Sequence, residues 1–339
     1  MKAPNILFGL FLGVLSGFLS GSSGGFVKKI KTWEWEITWL AYSVWALLLL
    51  PAMLALATVP RLFQIISSVP WVTLALIFFC GVGWGCATVG FALGIRDVGL
   101  ALTSVIVIGL GNAAGTLLPL ILFYPDHLGR LDGLLIGGGV AVTVFGIILC
   151  SAAALLTERS LAPHAPQHSV QNKGIVICVL SGLLSILFNL GLIVGKPLAQ
   201  MAVLSGTAPQ NAANATWLVL LGGGFCVMFV YCFHQIDRKK SRFSLRLPET
   251  RINWLYILLM GLVWLAGVTL YGMSLSRLGL LGPSIGWPIF QCIQIVTANF
   301  WGALSGEWRG APPKTNRIRV AGLAVLCAGI GIIGWAGRL

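Results

Sequence analysis

Charge is what this chain lacks. Lys, Arg, Asp and Glu together make up 9% of its 339 residues, where soluble globular chains carry about 25%. A water-facing surface cannot be built from so few ionic groups, which excludes a soluble enzyme or binding module. Negative charge is the scarcer sign, with nine acids against twenty-two Lys and Arg. Glu34, Glu36, Asp97, Asp126, Asp132, Glu158, Asp237, Glu249 and Glu307 all fall between apolar runs or at their ends. So do the histidines, His127, His164, His168 and His234. Neither type is placed to relay protons through mid-bilayer, where proton-coupled carriers usually hold such a group. The eight cysteines form no CxxC pair and read as small hydrophobes within helices. There is no H-E-x-x-H, G-x-S-x-G or P-loop and no acid/base pair within an apolar run. The chain is therefore not expected to be an enzyme, and no cofactor or metal is expected. No ring of like charges marks a channel.

What is present is apolar. Hydrophobic residues reach 57% and mean hydropathy +0.92. About 20 apolar residues cross a hydrocarbon core as a helix, and ten segments qualify: 6–23, 37–57, 70–94, 99–122, 133–154, 174–196, 212–234, 254–276, 282–304 and 318–336. The expected fold class is an all-α membrane protein of ten transmembrane helices, numbered here as spans 1 to 10. Lys2 and the apolar run from Ile6 resemble a signal peptide, but no A-x-A-like site follows, so span 1 reads as retained. The net charge of +13 sits in short loops, where it sets topology rather than recruiting nucleic acid. Sixteen of the twenty-two cations follow odd-numbered spans. The positive-inside rule then puts those loops in the cytoplasm and both termini on the periplasmic side.

Two connections are long and polar, 155–173 and 235–253. The first, with Pro163, His164, Pro166, Gln167 and His168, reads as a linker dividing the spans five and five. The expected halves are 1–156 and 174–339, joined by 157–173. Val14-Leu15-Ser16-Gly17-Phe18-Leu19-Ser20 matches Val179-Leu180-Ser181-Gly182-Leu183-Leu184-Ser185 at six of seven positions, offset by 165. At an offset of 180, Trp84 meets Trp264, Phe91 meets Tyr271, and Gly99-Leu100 meets Gly279-Leu280. Five spans per repeat insert the second half from the opposite side. That inverted pair encloses a central cavity for alternating access.

Neutral polar residues align within the spans. Trp287, Gln291 and Gln294 share one face of span 9; Ser185, Asn189 and Lys196 share one face of span 6. Trp264 and Tyr271 lie seven apart in span 8, Asn112 and Thr116 share a face of span 4, and Ser16 and Ser20 flank a glycine ridge in span 1. Amides donate and accept, which suits a hydroxyl-rich ligand, and indole faces can lie against the C–H face of a sugar. The substrate candidates are Trp287, Gln291, Gln294, Asn189, Asn112, Tyr271, Trp264, Lys196, Ser16 and Ser20. The competing reading is that the amides bond across helices and that Lys196 snorkels to the interface. Gly13, Gly17, Gly21 and Gly25 read as packing. Trp33, Trp35, Trp39, Trp71 and Trp308 read as interfacial belt residues.

Several of these segments resemble a known family. The basic, Trp-containing run 26–36 (FVKKIKTWEWE), Gly195-Lys196-Pro197, Gly222-Gly223-Gly224 and Glu307-Trp308 are similar to bacterial L-rhamnose–proton symporters of the drug/metabolite transporter superfamily. The register extends over nearly the whole chain. The resemblance implies two inverted five-helix repeats, a bacterial inner-membrane location, and uptake of L-rhamnose or a related 6-deoxyhexose with protons. Family members carry an Asp early in span 9, where this chain has Gly282-Pro283-Ser284-Ile285-Gly286-Trp287. The expected partners are a sugar, protons and the lipid bilayer, with the chain a monomer or weak homodimer. Another small polar metabolite, or uncoupled sugar facilitation, remains the alternative.

Overall fold

The computed structural model describes residues 5–161, 172–239, 250–306 and 308–339. Its helices are α1 (Ile6–Ser23), α2 (Trp35–Ser43), α3 (Leu50–Thr58), α4 (Leu62–Ser68), α5 (Trp71–Val98), α6 (Leu100–Phe123), α7 (Leu131–Leu161), α8 (Asn172–Ser185), α9 (Leu187–Val194), α10 (Lys196–Leu204), α11 (Ala213–Lys239), α12 (Arg251–Arg277), α13 (Gly282–Leu304) and α14 (Pro313–Ala336). Among the described residues, nine helical segments are long and apolar enough to cross a membrane. The chain is an all-helical membrane protein. α13 falls outside the nine because Gln291, Gln294, Asn299 and two prolines dilute its hydropathy. Its 23 residues still extend about 35 Å at 1.5 Å per residue. It packs against α1, α6 and α14, so its polar residues face protein more than lipid.

Two predicted spans are interrupted, and two of the breaks lie beside a proline; a third, at Ile186 between α8 and α9 in span 6, does not. In span 2 a π-turn, Val44–Leu49, separates α2 from α3. Pro51 follows, and its ring cannot sit over the Leu47 carbonyl in regular α geometry. In span 6 the helix ends at Gly195 and restarts as α10, with Pro197 near its start. The linker read at 157–173 and the loop read at 235–253 lie largely outside the described residues. At their described edges helix persists, α7 to Leu161 and α11 to Lys239.

The span 1–2 connection differs from its expected interfacial position. The Asn253 amide donates to the Lys31 carbonyl at 2.8 Å and accepts from the Lys31 N–H at 3.4 Å. That clamp folds the connection onto the start of α12. Trp33 is consequently buried, edge-on to Trp254, while Trp35 and Trp71 remain exposed.

Glycine determines which helices approach closely. A Cβ at Gly81 would collide with the Leu220 carbonyl on α11, and one at Gly17 would press on Ile293 and the Phe290 carbonyl on α13. α1 packs on α12 and α13, α8 on α5 and α6, and α7 on α14.

Candidate functional site

Helices from both halves of the sequence meet at a layer of aromatic rings. Tyr42 of α2, Trp84 of α5, Phe188 of α9, Trp217 of α11, Trp264 and Tyr271 of α12, and Trp287 and Phe290 of α13 form a continuous chain of ring contacts. The shortest centroid separation is 4.8 Å, between Trp84 and Phe188 and again between Tyr271 and Phe290.

One side of the layer is sealed by hydrogen bonds. Pro119 lies inside α6 and has no N–H, so the Gly115 carbonyl lacks its regular helical donor. The Asn189 amide supplies one instead, at 3.1 Å, and donates also to the Pro283 carbonyl at 3.2 Å. Its oxygen accepts from the Tyr271 hydroxyl at 2.7 Å. One amide thus joins α6, α9, α12 and α13. Trp287 Nε1 donates to the Gly111 carbonyl at 3.0 Å, and Gly115 leaves room for that indole, since a Cβ there would collide with it. Asn189 and Tyr271 are 0% exposed and Trp287 2%. Every hydrogen-bonding direction of the Asn189 amide that these bonds use is taken by protein.

The other predicted residues divide into two groups. Trp264, Gln291 and Gln294 are half-buried and lie near the middle of α12 and α13, farther from the even-loop ends of those helices than Tyr271 and Trp287 do. The Gln294 amide reaches Gln291 Oε1 at a long 3.4 Å, which leaves most of both amides' capacity open. Asn112 does not join the layer. Its amide donates to Thr143 of α7 at 2.9 Å. Ser16 donates to the Gly13 carbonyl at 2.8 Å, and both Ser16 and Ser20 pack against Gly267 of α12. Lys196 is exposed at the opposite, even-loop side, with Nζ 3.2 Å from the Tyr124 hydroxyl. It lines a cavity of about 160 Å³ together with Thr216, Gly272 and Pro283.

Sequence reasoning missed Tyr42, Trp84, Phe188, Trp217 and Phe290, having sought polar stripes. For Trp84 a signal existed, its alignment with Trp264 at the 180-residue offset. Those two indoles stack, 6.1 Å between centroids and 17° between planes.

An aromatic layer deep in a helical bundle, edged by open amides and shut on one side, suits a polar solute with an apolar face. The family described as L-rhamnose-proton symport protein (RhaT) matches residues 3–337. The chain belongs to this family. As a member of a symporter family it is a transporter and not an enzyme. Curated relatives are similar over almost their full length. The L-rhamnose-proton symporter of Yersinia pestis (strain Pestoides F) is 26% identical over 319 residues, covering 91% of each chain. That of Cronobacter sakazakii (strain ATCC BAA-894) is 26% identical over 314 residues, again 91% of each.

Proposed function

We propose that this chain carries L-rhamnose or a related 6-deoxyhexose across a bacterial inner membrane by alternating access, driven by protons. The observation that carries the reading is the family match over residues 3–337, with relatives named L-rhamnose-proton symporters. The aromatic layer and the open amides of Gln291 and Gln294 are chemically suited to such a solute.

The fold belonging to this reading is that of the drug/metabolite transporter superfamily, ten spans in two inverted repeats, 1–156 and 174–339, with 157–173 between them. The packing supports it, because contacts recur when each span is exchanged for its counterpart five later. α1 packs on α12 and α13; α8 packs on α5 and α6. α6 packs on α7; α13 packs on α14. Contacts of α7 with α14, α6 with α13, and α2 with α11 map onto themselves. Gly99 and Gly279, aligned in the repeat, both turn between helices at positive φ, +85° and +75°, a conformation open to glycine without strain. Trp84 and Trp264, also aligned, stack on each other, as equivalent residues do beside a twofold axis.

In this reading Tyr271, Asn189 and Trp287 close the periplasmic side and the solute approaches Trp264, Gln291 and Gln294 from the cytoplasm. Both termini are periplasmic, and the working unit is a monomer or weak homodimer in the bilayer. The deciding experiment is counterflow of labelled L-rhamnose in proteoliposomes. Saturable exchange is expected, and absence of competition by any sugar refutes the sugar reading. An imposed pH gradient should accelerate uptake; an unchanged rate removes proton coupling from the reading.

A further inference from the structure

We infer that Trp84 and Trp264 hold the solute between their indole faces, and that the stack they form with each other is the closed form of this clamp. The inference rests on the sugar-transport reading above and specifies how that site binds.

The two rings reach each other from separate helix groups. α5 packs chiefly on α8 and α11, and α12 on α1. Each ring has a second support besides the other indole. Trp84 contacts Phe188 at 4.8 Å and fits its six-membered ring over Gly224, where a Cβ would stand 2.9 Å from ring carbons. Trp264 meets Tyr42 at 6.2 Å, at 73°. The remaining faces stack on one another at 6.1 Å. Both indoles are half-buried, whereas Tyr271, Trp287, Phe188 and Trp217 beside them are closed off.

A pyranose presents C–H groups on its faces and hydroxyls around its rim. Carbon contacts of about 3.5–4 Å on each side require indole planes roughly 7–8 Å apart. The centroid separation of 6.1 Å bounds the present plane separation from above, so the pair must open by at least about 1–2 Å to admit the ring, replacing an aromatic contact by two C–H contacts. The rim hydroxyls are then left to amides such as Gln291 and Gln294. A sandwich also favours a methyl over a hydroxymethyl at C6. Enclosing one more hydroxyl without a partner lowers affinity by about tenfold, so L-rhamnose should bind more tightly than its 6-hydroxy parent, L-mannose.

The test is equilibrium binding of L-rhamnose and L-mannose to the full chain in lipid nanodiscs. Trp84→Leu and Trp264→Leu are each expected to weaken L-rhamnose at least about tenfold and to erase the preference over L-mannose. Trp84→Phe and Trp264→Phe, which keep a ring face, should lose only a few-fold. Trp254→Phe, at the outer contact with Trp33, should bind as the parent does. Should a Leu variant fail to fold, its Phe variant carries the test, and unaltered affinity and preference in it overturn the clamp. Folded Leu variants with the parent's affinity and preference also overturn the clamp while leaving sugar transport standing. If the parent protein binds no 6-deoxyhexose at all, the transport reading itself falls, and the clamp with it.

Discussion

Asn189 offers the most quantitative test of the hydrogen-bond seal. Asn189→Ala removes three bonds at once, to Gly115, Pro283 and Tyr271. Hydrogen bonds between transmembrane helices average about 0.6 kcal/mol each and reach about 1.7. Three such bonds give a loss of about 2 kcal/mol, with an upper bound near 5. Tyr271→Phe removes only one of them and should lose about 0.6 kcal/mol. The double variant must then be less destabilised than the two losses added, because the Tyr271–Asn189 bond is counted in both. Pro119→Ala adds an independent arm. It restores an N–H able to reach the Gly115 carbonyl, so Asn189→Ala should lose less in that background. The assay is reversible unfolding in mixed micelles. A loss below about 0.5 kcal/mol for Asn189→Ala, or full additivity with Tyr271→Phe, would refute the reasoning.

Other outcomes follow from the same geometry. Gly81→Ala should destabilise by about 1–3 kcal/mol or more, because its Cβ meets the Leu220 backbone carbonyl rather than a yielding side chain. Gly138→Ala, with nothing within 4 Å, should be neutral or gain up to about 1 kcal/mol; the thermal midpoints of the two variants check the contrast. Gln291→Ala should raise the Kd for sugar and leave the melting temperature alone, since its side chain is held by the long 3.4 Å contact with Gln294; unchanged affinity would make span 9's amides structural. Lys196→Met should shift stability by less than about 0.5 kcal/mol, its ammonium being exposed. Loss of uptake by that variant with stability intact would place Lys196 in the transport cycle.

Composition alone settles the solvent of this protein, because 9% charge cannot clothe a soluble surface. Helix number was largely legible for a similar reason, since the length of an apolar run is a local property set against bilayer thickness. Span 9 shows the limit. Its amides lower the hydropathy that marks a span, and it is covered by neighbouring helices that no local window can register. The proposed repeat has its sequence signal at Trp84, Trp264, Gly99 and Gly279. That the two indoles would touch was not legible, because contact depends on how α5 and α12 are carried by other helices. Asn189 and Asn112 look alike in sequence, each a lone amide in an apolar helix. Tertiary structure alone separates them. One amide repairs the carbonyl that Pro119 leaves open and closes the aromatic layer, and the other turns to Thr143 in a neighbouring helix. A side chain's partners are set by the rotation and packing of whole helices, and pairwise packing in lipid leaves little trace in the hydrophobic pattern of either helix.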